Sequence, residues 1–356
     1  MGLGACLSSQ ASSYEPYVTT GDEYVTRPET PLKPSYWRHF DSPIFAPLVT
    51  QLVIWIVLWF LVPNFGTVRT VSGIVGAASI NAIVAIGITM LMIAGEFDLS
   101  VGATIAMTAF IFAHVLIASG SPVVAFLLAM TVAGIMGAVN GFVVVYTKIP
   151  SFIVTLGTRS IYRGLVWVYT GGTMVQITER LPVQDFFNGR LDLLNNLFTR
   201  ANFRIVTLWA LGLGILFQFI LVRSKFGNHV FAVGASPEAA LAQGVNLKLV
   251  KIVCFILAGL LAGFAGIMTF SEFSTVQVVT GANVELKVIA AAVIGGTLLT
   301  GGHGSIVGGL LGILLIALLR TGTILLGFPS DNFEAIVGLT IVGAALLNDW
   351  IRQRIY

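Results

Sequence analysis

The chain has 356 residues, of which 56% are apolar and 10% charged, with a net charge of +3 and a mean hydropathy of +0.92. Soluble domains carry about 25% charged residues, and a water-exposed fold of this composition would display apolar patches far larger than monomers tolerate. A soluble domain is excluded, and charges this few and dispersed exclude a nucleic-acid-binding surface.

Residues 1–43 differ from the rest. They hold Ser8, Ser9, Ser12, Ser13 and four prolines between Pro16 and Pro34, too little apolar area to offset chain entropy, so a disordered polar tail is expected. Tyr36-Trp37-Arg38-His39 suits the headgroup level. The two cysteines, Cys6 in the tail and Cys254 in an apolar run, make no disulfide framework. Leu3-Gly-Ala-Cys6 follows no apolar leader, and position 6 is Cys where myristoylation wants Ser or Thr.

From about 44 to 350 the sequence reads as an all-α polytopic membrane bundle, since a spanning helix needs about 20 mostly apolar residues. Ten candidates follow in order: 44–63, 72–94, 101–119, 122–147, 151–169, 203–222, 249–270, 285–300, 304–327 and 333–348. The fifth contains Arg159 and Arg163, and the eighth is short and Gly-rich; either is a candidate broken or re-entrant segment. Small residues recur every four positions at Ala133, Gly137 and Gly141, at Gly259 and Gly263, and at Gly304, Gly308 and Gly312. Such rows let helix backbones approach closely in lipid.

Lys and Arg in short loops set orientation. Arg223, Lys225, Lys248 and Lys251 after the sixth span, Arg352 and Arg354 at the C-terminus, and Lys33 and Arg38 in the tail fall on one side if there are ten spans. Both termini (1–43 and 351–356) and the loop 223–248 are then cytoplasmic. Segment 170–202 faces outward as a possible external docking element.

Two Gly-rich islands interrupt the apolar background, Gly95-Glu-Phe-Asp-Leu-Ser-Val-Gly102 and Gly295-Gly-Thr-Leu-Leu-Thr-Gly-Gly-His-Gly304. At an offset of 200, Gly95, Leu99, Ser100 and Gly102 meet Gly295, Leu299, Thr300 and Gly302, the kind of internal repeat transporters use. In the first island Glu96, Asp98 and Ser100 either hold a broken helix beside a pathway or cap the helix that follows, and both roles are compatible. Arg159 and Arg163 share a helix face, and either snorkel to the interface or line a polar route. Asn140 and Thr155 are further pathway candidates, with interhelical hydrogen bonding as the alternative.

The inward loop holds Gly234-Ala-Ser-Pro-Glu-Ala-Ala-Leu-Ala-Gln-Gly244. Ser236 suits an N-cap, Pro237 the first helical position and Gly244 the C-terminal stop. A capped, small-surfaced helix of about two turns through Glu238, Ala239, Ala240 and Gln243 suits a docking element. No catalytic constellation, metal spacing or cofactor motif is present: the four histidines are scattered and no Lys follows a Gly, which excludes a phosphate-binding Walker A loop.

These motifs, with Thr155-Leu-Gly157, Tyr169-Thr-Gly-Gly172 and the run Ala290 to Gly308, give the chain, over about residues 72–350, a likeness to a known family. It resembles the permease subunits of bacterial ABC importers for ribose, xylose and similar monosaccharides. Glu96 and Phe97 replace the Gly and Ile usual in that family, which leaves the substrate open. The resemblance implies an inner-membrane protein paired with a second permease chain, a separate nucleotide-binding ATPase subunit and a periplasmic sugar-binding protein. Ser236 to Gly244 would be the coupling helix, and the chain would have no ATPase site of its own. Nucleoside or branched-chain amino-acid permeases are the nearest alternatives. An ion-coupled transporter would want mid-membrane acids, a channel a filter ring, and an enzyme catalytic groups.

Overall fold

The computed structural model describes residues 45–329 and the isolated positions 335, 338, 339 and 343. The expected tail at 1–43, the expected span at 333–348 and the C-terminus at 351–356 lie outside the described residues.

The first five helices are α1 (Phe45–Leu61), α2 (Val68–Ile93), α3 (Val101–Ser119), α4 (Pro122–Thr147) and α5 (Ser151–Thr170). A connecting segment follows: strand β1 (Val175–Gln176), then α6 (Pro182–Asn188) and α7 (Asp192–Leu197). Next come α8 (Ile205–Arg223), α9 (Lys225–Ala235), α10 (Pro237–Ala242), α11 (Leu247–Phe273), strand β2 (Thr275–Val276), α12 (Val284–Ile294) and α13 (Ile306–Leu325). Local sequence sets many of these ends. Ser121 precedes Pro122 at the first position of α4, Asn246 accepts the Leu249 N–H at the start of α11, and Gly120 takes the left-handed conformation that ends α3.

Among the described residues six helices are long and apolar enough to cross a membrane: α2, α3, α4, α8, α11 and α13. Ten were expected, and the differences have local causes. Helix α1 is apolar but 17 residues long. Helix α5 has the length, but its two arginines lower its hydropathy. The expected span at 285–300 is an 11-residue half-helix, α12, stopped at Gly295; at 1.5 Å per residue it covers about half of a 30 Å hydrocarbon core.

Helix α11 is the axis of the bundle, packed against α2, α3 and α4. The rows of small residues explain that packing. A Cβ on Gly259 would meet the Ala133 carbonyl, and one on Gly137 the Phe255 carbonyl, so the rows of α4 and α11 face each other backbone to backbone. At one end of the bundle β1 and β2 pair antiparallel, Val175 opposite Val276. Phe187 of α6 packs edge-on against Phe112 and Phe264, and Gln184, fully buried, donates to Ser274 Oγ at 3.0 Å. This connecting segment is thereby stapled to α3 and α11.

Candidate translocation and coupling site

Helix α2 ends in a left-handed glycine cap. Gly95 has φ +82°; its N–H donates to Met92 O at 2.9 Å and the Glu96 N–H to Leu91 O at 3.1 Å, the paired bonds of a Schellman motif. The seven-residue break 94–100 is then fastened on three sides. Phe97 N–H donates to Ser151 Oγ at 3.0 Å, and Thr155 Oγ1 donates to Phe97 O at 3.4 Å, both on α5. Lys251 Nζ lies 2.5 Å from Glu96 Oε1 and ties the break to α11. Asp98 Oδ1 accepts the Ser100 N–H and the Ser100 hydroxyl, each at 2.7 Å. Asn140 Nδ2 donates to Asp98 Oδ2 at 3.2 Å and to Ser100 Oγ at 2.7 Å. The Tyr162 hydroxyl lies 3.0 Å from Met136 O and 3.1 Å from Asn140 Oδ1.

Asp98, Ser100 and Asn140 are at most 1% exposed. They form a sealed clasp joining the break to α4 and, through Tyr162, to α5. The capping role expected for Asp98 and Ser100 takes a different form. Ser100 makes no side-chain cap bond, and Asp98 bonds two residues ahead, as in an Asx turn, and across to α4.

The two arginines of α5 hold a second segment. Arg159 Nη2 lies 2.8 Å from Glu285 Oε1. Arg163 Nη1 donates to the carbonyl oxygens of Val278 and of Thr280, the latter at 2.9 Å. Between these anchors Gly281 (φ +74°) sits where a Cβ would overlap the Gly102 carbonyl, and a Cβ on Gly102 would overlap Glu285. Residues 277–285, which run into the first turn of α12, are thus pressed against the first turn of α3.

Helix α12 ends as α2 does. Gly295 N–H donates to Ala291 O, Gly296 N–H to Val293 O and Thr297 N–H to Ala292 O, with Gly296 at φ +87°. Each bond repeats one at 94–96 with both residue numbers raised by 201 (94→295, 95→296, 96→297). The two islands correspond in conformation, but Gly95 matches Gly296, one residue beyond the register expected from sequence. Ser100 before α3 matches Ser305, the cap of α13, because the second break is four residues longer.

Helix α10 lies directly after α9. Ser236 Oγ accepts the Ala239 N–H at 3.4 Å, Pro237 opens the helix, and Gly244 (φ +80°) ends it with bonds from Gly244 N–H to Leu241 O and from Val245 N–H to Ala240 O. Pro237, Glu238, Ala239, Gln243 and Gly244 are exposed; Ala240 turns inward, 3% exposed.

The chain matches the family model described as the permease component of branched-chain amino acid transport systems over residues 70–345. The chain belongs to this permease family. It is 33% identical over 308 residues to the ribose import permease protein of Escherichia coli K12, covering 86% of this chain and 93% of the relative. The ribose import permease protein of Bacillus subtilis is 32% identical over 315 residues, covering 87% and 94%. The L-arabinose ABC transporter permease protein of Azospirillum brasilense is 33% identical over 304 residues, covering 85% and 86%. No solved structure gives a significant match. The permease is a multi-pass membrane protein of an ABC importer family.

The permease therefore brings its sequence-marked residues into three groups: Glu96, Asp98, Ser100, Asn140 and Thr155 at the first break, Arg159 and Arg163 on segment 277–285, and Ser236 to Gly244 on one exposed helix. Four participants were missed. Lys251 was counted among loop charges, but α11 starts at Leu247 and carries it inside. Tyr162 and Glu285 had no local signal. Leu241, 61% exposed, is the one large apolar side chain on α10, which was a legible signal. A cavity of about 290 Å³ between α2, α12 and α13 is also lined by Asn81, Lys287, Arg320 and Thr321, none of which was singled out.

Proposed function

We propose that this permease is the membrane-spanning subunit of an ATP-driven importer for a monosaccharide, working as a pair of permease chains. A separate ATPase subunit supplies energy, and a periplasmic binding protein delivers the sugar. The observation that carries this reading is the exposed helix α10, capped at both ends and backed by α9 against the bundle. The relatives named for ribose and L-arabinose import support a sugar as the substrate class. Both termini and α10 are assigned to the cytoplasm from the loop charges, which places α6, α7 and the β1–β2 ribbon outside, where a binding protein docks.

The buried clasp at Asp98 and the arginine clamp give the pathway its shape by holding two broken helices at fixed angles. Helix α5 joins them. Its Ser151, Thr155 and Tyr162 side grips the first break, its arginines grip segment 277–285, and its exposed side, with Gly157 and Gly164, is left to wall the route.

The test is subunit dependence. The purified permease should hydrolyse no ATP, and uptake of ribose or arabinose into proteoliposomes should require a co-expressed ATPase subunit. Uptake driven by an ion gradient with the permease alone would overturn the reading.

Docking on α10 is tested separately. Glu238→Trp and Leu241→Asp should leave membrane abundance unchanged, since both side chains are exposed. Burying a Leu contributes about 1.5–3 kcal/mol, so removing Leu241 from an interface should weaken co-purification of the ATPase at least about tenfold. Unchanged co-purification of both variants would mean that α10 is only a connector.

A further inference from the structure

Helix α9 ends on both breaks at once. A Cβ on Gly234 would overlap the carbonyl oxygen of Ile93, the last residue of α2, and the amide nitrogen of Gly302 in the second break. Those two backbone groups are themselves bonded, Gly302 N–H to Ile93 O at 2.8 Å. A Cβ on Gly301 would stand 2.8 Å from the Gly95 Cα, and one on Gly302 would stand 2.6 Å from the Ala235 Cα. Gly301 and Gly302 have φ +84° and +74°, conformations that suit glycine. Three elements far apart in sequence thus meet backbone on backbone: the glycine cap of α2, the loop after the matching cap of α12, and the last turn of α9.

The link from this meeting point to α10 is one residue. Ser236 closes α9, its N–H donating to Ala232 O at 3.0 Å, and its hydroxyl caps α10. No loop separates the two helices, so a push on the exposed helix cannot be absorbed between them. Gly234 is half-buried and Ala235 exposed, yet each stands against backbone on its inner side, and contacts between backbones offer no rotamer to yield.

We infer that Gly234 and Ala235 are positioning residues for transport, forming the joint through which displacement of α10 reaches both broken helices together. The inference rests on the reading of α10 as the ATPase handle and adds where its motion goes. The repeated cap geometry gives the joint a reason: two equivalent breaks seated on one fulcrum move in concert.

The experiment uses the full permease co-expressed with its ATPase, with Cys6 replaced by Ser and the buried Cys254 left in place. Nitroxide labels go on exposed positions of the second break and of α4, as Leu299→Cys and Leu127→Cys, and spin–spin distances are read with and without ATP and vanadate. With the joint intact, nucleotide should shift the distance distribution. Gly234→Ala, which overfills the joint, and Ala235→Gly, which loosens it, should each keep the ATPase bound and lose most of the shift. Gly212→Ala, on an exposed face of α8 with no neighbour within 4 Å, should keep it.

Because Gly234→Ala risks misfolding, Ala235→Gly, which removes an exposed methyl group and adds backbone freedom at the end of α9, decides if the former does not accumulate. A full nucleotide-driven shift in Ala235→Gly, or no shift with the joint intact and ATPase bound, overturns the inference. Failure of the unsubstituted permease to bind any ATPase overturns instead the reading of α10, and the joint's role falls with it.

Discussion

Asp98→Ala should cut transport at least about tenfold and lower the melting temperature of the detergent-solubilised permease, whereas Asp98→Asn should keep most of both. Alanine leaves the Ser100 N–H and one Asn140 N–H aimed at nothing in a site sealed from water, and each buried unsatisfied donor costs about 1–3 kcal/mol. One or two kcal/mol is a large fraction of the stability of a fold, and this cost falls on the break that sets the angle between α2 and α3. Asparagine can be accommodated by re-pairing. Its Oδ1 takes the Ser100 N–H, and the Asn140 amide turns over so that its oxygen faces the new NH₂ group. Tyr162 then donates to Met136 O, already 3.0 Å away, and accepts from the turned amide. Equal failure of both variants, with normal abundance, would assign the role to the charge instead. Wild-type transport and melting in both would mean that the clasp does not set the break.

The clasp shows how far local sequence reaches. Glu96, Asp98 and Ser100 stand out because carboxylates beside an apolar helix are costly, and Asn140 because it interrupts an apolar span. That they meet at one point depends on α4 crossing α3, which composition does not encode. The helix bounds at 101–119 and 122–147 were legible to the residue because Gly120 and Ser121-Pro122 punctuate them. Helix α9 was not, because Lys225 to Ala235 mixes charge and small residues in a pattern that reads equally as loop. The repeat of the two islands was visible as glycine content, but its register was not. A cap is defined by hydrogen bonds, and the extra four residues of the second break shift every sequence match beyond it. Contacts between distant segments were the least legible. Nothing near Arg159 points to position 285, and Lys251 looked like a loop cation until α11 carried it to Glu96.

The rows of small residues show a related limit. Sequence spacing identified Ala133, Gly137 and Gly141, and separately Gly259 and Gly263, as surfaces for close helix approach. That the two rows pack on each other follows only from the three-dimensional path. The consequence is mechanical: α11 is pressed against α4 without intervening side chains, and α4 holds Asn140 of the clasp while α11 holds Lys251. The first break is therefore fastened to the two most closely packed helices of the bundle.

Arg159→Ala should be the most damaging single change on α5. Glu285 is 1% exposed, while the Arg159 side chain is about one-third exposed. Removing the cation leaves a buried carboxylate without its ion-pair partner; because Arg159 is partly open to water, the cost falls below the roughly 3–5 kcal/mol of breaking a fully buried pair from one side. Arg163 and Lys287 still favour the Glu285 charge, but the Arg163 guanidinium is committed to the Val278 and Thr280 carbonyls and does not take Arg159's place as the ion-pair partner. Membrane abundance and melting temperature should both fall. Glu285→Gln should be milder, because the freed Arg159 can turn toward water and the neutral amide carries no buried charge. The double variant Arg159→Ala/Glu285→Gln should recover the stability of Glu285→Gln alone, giving the coupling energy that a double-mutant cycle reads for groups in contact. Transport in the double variant separates the two roles left for Arg159. If it only clamps segment 277–285, transport should return with stability. If it also walls the sugar route, stability returns while the KM for uptake stays raised. Wild-type stability in the single Arg159→Ala variant would show that the pair does not hold the segment, and the clamp would have to be assigned to Arg163 alone.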